Sequence, residues 1–151
     1  MNGESAQTPR YAYFSMEVGI SSKIPTYSGG LGILAGDVLK TSADENFPMI
    51  GVTLLTKNGY FFQEIEQKQQ IERPTSWSID DFLTPLSAKI KINIKGAEIV
   101  VGVWKYEITG LCGGKTQVLF LDTDFEENPL EIRQLSGDLY GDGPEYRLGQ
   151  E

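Results

Sequence analysis

Histidine does not occur anywhere in the 151 residues. Its absence removes serine–histidine and cysteine–histidine nucleophile pairs, histidine-bearing zinc sites and the commonest general base. Chemistry in this chain must rest on carboxylates, tyrosines, backbone dipoles or a bound cofactor, and no metal site is expected. Cysteine occurs once, as Cys112, so no internal disulfide can form, which agrees with a reducing cytoplasm. No window approaches the run of about 18–20 apolar residues that a membrane span needs. The opening MNGESAQTPR lacks the basic and apolar regions of a secretory signal, and residues 1–9 read as a disordered tail. Positive charge is also scarce. With 21 acidic and 13 basic residues the formal charge is −8, which argues against nucleic acid or an anionic membrane as main partner.

What is present describes an ordinary globular protein, 40% hydrophobic and 23% charged, with length for one domain and a sizeable core. Residues 10–18, RYAYFSMEV, are rich in aromatic and β-favouring types and predict a first strand. After a glycine cluster, Leu31, Leu34, Ala35, Val38 and Leu39 fall on the stripe of an amphipathic helix. Pro48 predicts its end near ENFP. MIGVTLLTK, residues 49–57, then reads as a buried strand of a parallel sheet. Strand, glycine turn, helix and strand make a βαβ unit, so the fold class is α/β.

Beyond a turn signal at Asn58-Gly59, residues 60–65 predict a short strand and EQKQQIERPTSWS a polar loop. Ile90, Ile92 and Ile94 alternate with Lys89, Lys91 and Lys95. Through a turn at Lys95-Gly96 they lead to Ile99, Val101 and Val103, a β-hairpin with one wet face. Residues 117–121 predict another buried strand, and GDGPEYRLGQE a helix start with Asp142 as N-cap, Pro144 in the first turn and Glu145 set for a capping box.

TYSGGLGILAGD, residues 26–37, holds the most informative spacing. In a βαβ unit ligands sit at the carboxyl ends of the strands, where a helix N-terminus offers unpaired N–H groups to an anion. Gly29, Gly30 and Gly32 would let a phosphate or sugar approach the backbone; equally, they would serve a tight turn, as Gly36 serves helix–sheet packing. The spacing alone leaves both readings open. The cluster is neither G-x-G-x-x-G nor a P-loop. Glu17, at the end of the first strand, reads either as a ligand for sugar hydroxyls or water, or as a solvated strand end. Asp37 and Lys40 read as a surface pair. Cys112, in LCGG, reads as a residue of a strand end or turn.

Four blocks then become recognisable: YFSME (residues 13–17), PTYSGGLGILAGD (25–37), GYFFQ (59–63) and DLYGDGPEYRLGQE (138–151). Together they resemble the N-terminal part of the α-glucan phosphorylases, the glycogen and maltodextrin enzymes, in their shorter bacterial and archaeal form. Residues 66–131 match only in general character. The resemblance implies a GT-B glycosyltransferase, with residues 10–151 an incomplete N-terminal Rossmann-like domain carrying a β-hairpin insertion. It implies cleavage of α-1,4-glucan by phosphate to glucose 1-phosphate with retention of configuration. It implies pyridoxal phosphate held as a Schiff base by a lysine of a C-terminal domain absent from this chain. None of Lys23, Lys40 and Lys57 matches that lysine, so no cofactor is expected to bind covalently here. By the same resemblance, Gly29, Gly30, Leu31 and Gly32 form the loop facing phosphate and glucosyl unit, and Glu17 is the active-site glutamate. The expected partners are α-glucan, phosphate and the missing domain, in a homo-oligomeric intact enzyme, and the chain alone is expected to be inactive. Two alternatives remain. A glycogen or starch synthase would place a lysine before the glycines, where Tyr27-Ser28 stand. A non-catalytic glucan-binding or split-enzyme module is the other.

Overall fold

The computed structural model describes residues 8–73, 75–141, 144, 145 and 148. Most of the expected tail, and Asp142, the expected N-cap of a last helix, lie outside the described residues.

Strand β1 is Tyr11–Phe14, helix α1 Gly30–Asp44 and strand β2 Met49–Leu54. β1 and β2 pair in parallel, so the βαβ unit is present. β2 pairs in parallel with β7, Lys115–Asp122. Two antiparallel strands complete a five-stranded mixed sheet: β6, Ala97–Thr109, and β5, Thr84–Ile94, in the order β1-β2-β7-β6-β5. The expected hairpin lies in the chain between the parallel neighbours β2 and β7 and extends the central sheet. Its second strand shares a ladder with β7 from Gly102↔Asp122 to Thr109↔Lys115, so it is one end of the central sheet. Lys95 and Gly96, both at positive φ, make the two-residue turn that the right-handed twist of paired strands favours. The expectation of one wet face also changes. β5 is exposed along its whole length, because it is an edge strand, while α1 packs on β2, β6 and β7.

The short strand expected at residues 60–65 is β3 (Phe62–Glu66), and part of the expected polar loop instead forms β4 (Gln69–Arg73), its partner in a separate small hairpin. Its turn puts Gln67 and Lys68 at positive φ without a glycine or asparagine, so the usual hairpin signal is missing. Asn58-Gly59 is not a hairpin turn. A Cβ at Gly59 would collide with Pro25, and the glycine is there for close approach.

Helix α1 buries Gly32, Ala35, Gly36, Leu39, Ser42 and Ala43. Two of the large residues expected on its buried stripe face solvent, Leu31 at 51% and Leu34 at 57% exposure. Small side chains won because backbone packs directly on backbone: a Cβ on Gly36 would collide with the Gly19 carbonyl. The helix ends on a Schellman turn, with Asn46 at φ 48°, its N–H donating to Ala43 O at 3.2 Å and Phe47 N–H to Ser42 O at 2.8 Å. The core joins Val18, Ile20, Ala35, Leu39, Ala43, Leu55, Leu83, Ile108, Val118 and Phe120. Leu39 reaches over Gly51 and Val118, which marks the sheet face that α1 covers. On the opposite face the register aligns Phe14 with Val52 and Leu119. Ile50, Leu54, Leu119 and Leu121 there are only half-buried, and Phe14 is 73% exposed.

Candidate functional site

The carboxyl ends of β1 and β2, the N-terminus of α1 and the strap of residues 136–140 meet at one edge of the sheet. Beyond β1, Val18 N–H donates to Thr26 O at 3.0 Å and Gly19 N–H to Gly32 O at 2.7 Å, so residues 17–19 run against the glycine turn. Beyond β2, Lys57 N–H donates to Ser136 O and Asn58 N–H to Gly137 O, while Leu139 N–H returns to Asn58 O. Those bonds deliver Tyr140 to the turn, at φ 54° and edge-on to Tyr60 with ring centres 6.2 Å apart.

Glu17 is buried, 3% exposed. Its Oε2 accepts Ser28 N–H at 2.9 Å and Gly29 N–H at 3.1 Å, and its Oε1 accepts the Ser28 hydroxyl at 3.0 Å. Burial pushes the carboxyl pKa up, but hydrogen bonds from the Tyr140 side chain, the two backbone N–H groups and the Ser28 hydroxyl outweigh it. The net position is below the ordinary 4.5. Glu17 is not the solvated strand end that spacing alone allowed. Tyr140 and Ser28 went unnoticed as site residues, although Tyr140 lies inside the recognisable DLYGDG block.

The glycines divide into two kinds. A Cβ at Gly32 would collide with Tyr27 and come within 2.9 Å of Glu17 Oε2, so packing alone demands glycine there. Around Gly29 and Gly30 a Cβ would meet nothing within 4 Å, and neither has a positive φ. Among the described residues nothing requires glycine at these two positions. Gly29 is the N-cap of α1 and no side chain caps the helix. The N–H groups of Gly30, Leu31 and Gly32 therefore lack intrahelical acceptors, at the positive end of the helix dipole.

Of the three lysines considered, Lys23 is exposed, Lys40 donates to Gly19 O at 3.3 Å, and Lys57 pairs with Asp124. Lys40 thus turns to the Gly19 carbonyl, in place of the surface pair expected with Asp37. Asp124 also accepts from Arg133 Nε at 2.7 Å, and both partners hold its carboxyl below the ordinary range. Cys112 is exposed and lies in the turn between β6 and β7. Among the described residues no group of His, Cys, Asp and Glu is arranged to hold a metal ion, and no helix is long and apolar enough to cross a membrane.

These features define a class: an α/β protein whose central mixed sheet carries a glycine turn at the carboxyl edge of its parallel strands, consistent with a piece of a glycosyltransferase. Relatives narrow the class. The chain is 37% identical over 145 residues, 92% of its length, to the maltodextrin phosphorylase of Thermococcus litoralis. It is 36% identical over 147 residues to the glycogen phosphorylase of Mycobacterium tuberculosis, and 34% identical over 149 residues to that of Aquifex aeolicus. No family model matches. The chain spans 17% of the length of the first two proteins and 20% of the third. Over almost all of its length it is thus related, as a partial segment, to the glycogen and maltodextrin phosphorylases.

Proposed function

We propose that this chain is the N-terminal part of an α-1,4-glucan phosphorylase and supplies the glycine-turn wall of its active site. Gly29, Gly30, Leu31 and Gly32 are the binding residues. The backbone N–H groups of Gly30, Leu31 and Gly32, which lack intrahelical acceptors, meet the phosphate that attacks the glucan and the glucosyl unit it receives. The observation that carries this reading is the vacant space at Gly29 and Gly30. Glycine is unnecessary there for packing, and it is explained by a ligand that must touch the backbone.

As the glycosidic bond breaks, positive charge builds on the anomeric carbon beside an anionic phosphate. Fixed N–H dipoles stabilise that arrangement without reorganising, which is where electrostatic catalysis is most effective. A helix N-terminus contributes about 0.3–1 kcal/mol per negative charge in exposed settings and about 2 kcal/mol in favourable partly buried ones. The synthase alternative fits less well, because Ser28 turns back onto Glu17 and no lysine stands immediately before the glycines. Pyridoxal phosphate, implied by the phosphorylase relationship, finds no fitting amine at this turn. Lys40 and Lys57 are engaged elsewhere, and no step is assigned through the cofactor.

The domain is an incomplete Rossmann-like half of a GT-B enzyme. Parallel sheets are normally covered on both faces. Here Ile50, Leu54, Leu119 and Leu121 are half-buried, and Phe14, Leu31, Ile33 and Leu34 are exposed by 46% or more. The remainder of a phosphorylase chain would cover these surfaces. Exposed, unpaired Cys112 fits a cytoplasmic setting.

The test is an NMR titration of the labelled chain with inorganic phosphate, glucose 1-phosphate and a maltooligosaccharide. Phosphate and glucose 1-phosphate should move the amide signals of Gly30, Leu31 and Gly32, with no glucose 1-phosphate formed from glucan by the chain alone. Response to the oligosaccharide without response to phosphate would favour a glucan-binding module. Turnover by the chain alone would overturn the half-site reading.

A further inference from the structure

Glu17 was expected to touch the substrate, but its environment assigns it another task. A carboxylate offers about four acceptor positions. Ser28 N–H, Gly29 N–H, the Ser28 hydroxyl and the Tyr140 side chain supply four donors. A sugar hydroxyl reaching Glu17 would have to displace one of them, with the carboxylate 3% exposed. The donors come from two directions: the residues that open α1, and the strap of residues 136–140 pinned to the far side of β2 by Lys57 and Asn58. Gly32 completes the fit, because any Cβ there would press on Glu17 and Tyr27.

We infer that Glu17 is a positioning residue: its carboxylate ties the glycine turn to Tyr140 and so aims the N–H groups of Gly30, Leu31 and Gly32 at the ligand. The inference rests on the turn being the phosphate and glucosyl cradle. Its physical logic is preorganisation. Gly29 and Gly30 carry no side chains to hold the turn, and no side chain caps the helix, so conformational order must come from a buried anchor. The lowered pKa of Glu17 agrees, since the hydrogen bonds favour its ionised form more than burial opposes it. Tyr140 acts on the opposite side of the same carboxylate, and its left-handed backbone is held by the bonds of the strap.

The charge of Glu17 separates this role from a simpler one. A carboxylate near an anion cradle repels the anion, so if charge were its whole effect, Glu17→Gln would tighten phosphate binding. If Glu17 positions the turn, Glu17→Gln replaces an acceptor by a donor facing other donors, and phosphate binding weakens about tenfold. The experiment reads backbone amides of the labelled chain by NMR. Without ligand, Ser28 and Gly29 should titrate with the Glu17 carboxyl at a midpoint below that of an ordinary glutamate. Tyr140→Phe, a mild change, should raise that midpoint and move the Gly29 and Gly30 signals. With inorganic phosphate as probe, Glu17→Gln should weaken the response of residues 30–32. Phosphate binding that is unchanged or tighter in Glu17→Gln overturns the inference. So does a turn indifferent to both pH and Tyr140→Phe. If wild type shows no phosphate response, the cradle reading fails, and the ligand-free titration still decides the positioning role.

Discussion

The two ends of the central sheet are built on opposite terms. At one end, around β1, α1 and β2, glycines allow close approach. Gly36 lies on the Gly19 carbonyl, Gly51 under Leu39 and Gly59 on Pro25. At the other end β5 is exposed throughout and is held by its ladder to β6, a two-residue turn and surface ion pairs such as Lys91–Glu98. At those three glycines the first end has no room for an added atom; β5 depends on local chemistry that single changes barely disturb. The candidate site occupies the end with no room for drift, and rigid backbone is the only means of aiming N–H groups that belong to no side chain.

The comparison can be tested in order of expected effect. Phe120, fully buried at the centre of the sheet, should cost about 3–5 kcal/mol as Phe120→Ala, read by denaturant unfolding. A cost near zero would mean that the core is loosely packed at the parallel end too. Gly36→Ala adds a single methyl group, and should cost about 1–3 kcal/mol because the Gly19 backbone cannot yield. Tolerance of that methyl would break the claim of backbone-on-backbone packing.

Acid should come next. Glu17 and Asp124 both have folded-state pKa values below their ordinary 4.5 and 3.8. Between folded and unfolded values the unfolded chain binds more protons, so stability falls as pH drops. Thermal melts should therefore be flat from pH 7 down to about 5 and decline below about 4. Glu17→Gln should flatten part of that decline, whereas a melt that improves on acidification contradicts the assigned directions. The smallest effect belongs to the hairpin. Lys91→Ala removes a fully exposed pair with Glu98, and the melting temperature should stay within experimental error. A clear loss would show that β5 matters more to the fold than its exposure indicates.

How far these features were legible in the sequence depends on how local their causes are. The Pro48 stop, the Lys95-Gly96 turn and the buried run after residue 49 are local signals, and each falls where it was read. The β3–β4 turn escaped because Gln67 and Lys68 carry none of the residue types that normally announce positive φ. The buried face of α1 was read correctly at Ala35 and Leu39 and wrongly at Leu31 and Leu34, because large apolar residues count most in a periodicity. The rest of the contact is made by Gly32, Gly36, Ser42 and Ala43, whose value is their smallness. Leu31 and Leu34, prominent in the pattern, face outward and are exposed.

By itself the sequence determined that the chemistry in this chain could not involve histidine, that a βαβ unit contains a glycine turn, and that the chain resembles α-glucan phosphorylases. Those conclusions rest on composition, local backbone preference and short motifs. Tertiary structure alone decided which glycines packing requires, that the β5–β6 hairpin belongs to the central sheet, and that the acceptor sites of Glu17 are filled. Each of these depends on residues well separated in the chain: Gly19 against Gly36, Gly102 beside Asp122, Tyr140 against Glu17. Steric exclusion and hydrogen-bond saturation are properties of contacts in space, and local preference carries no record of them.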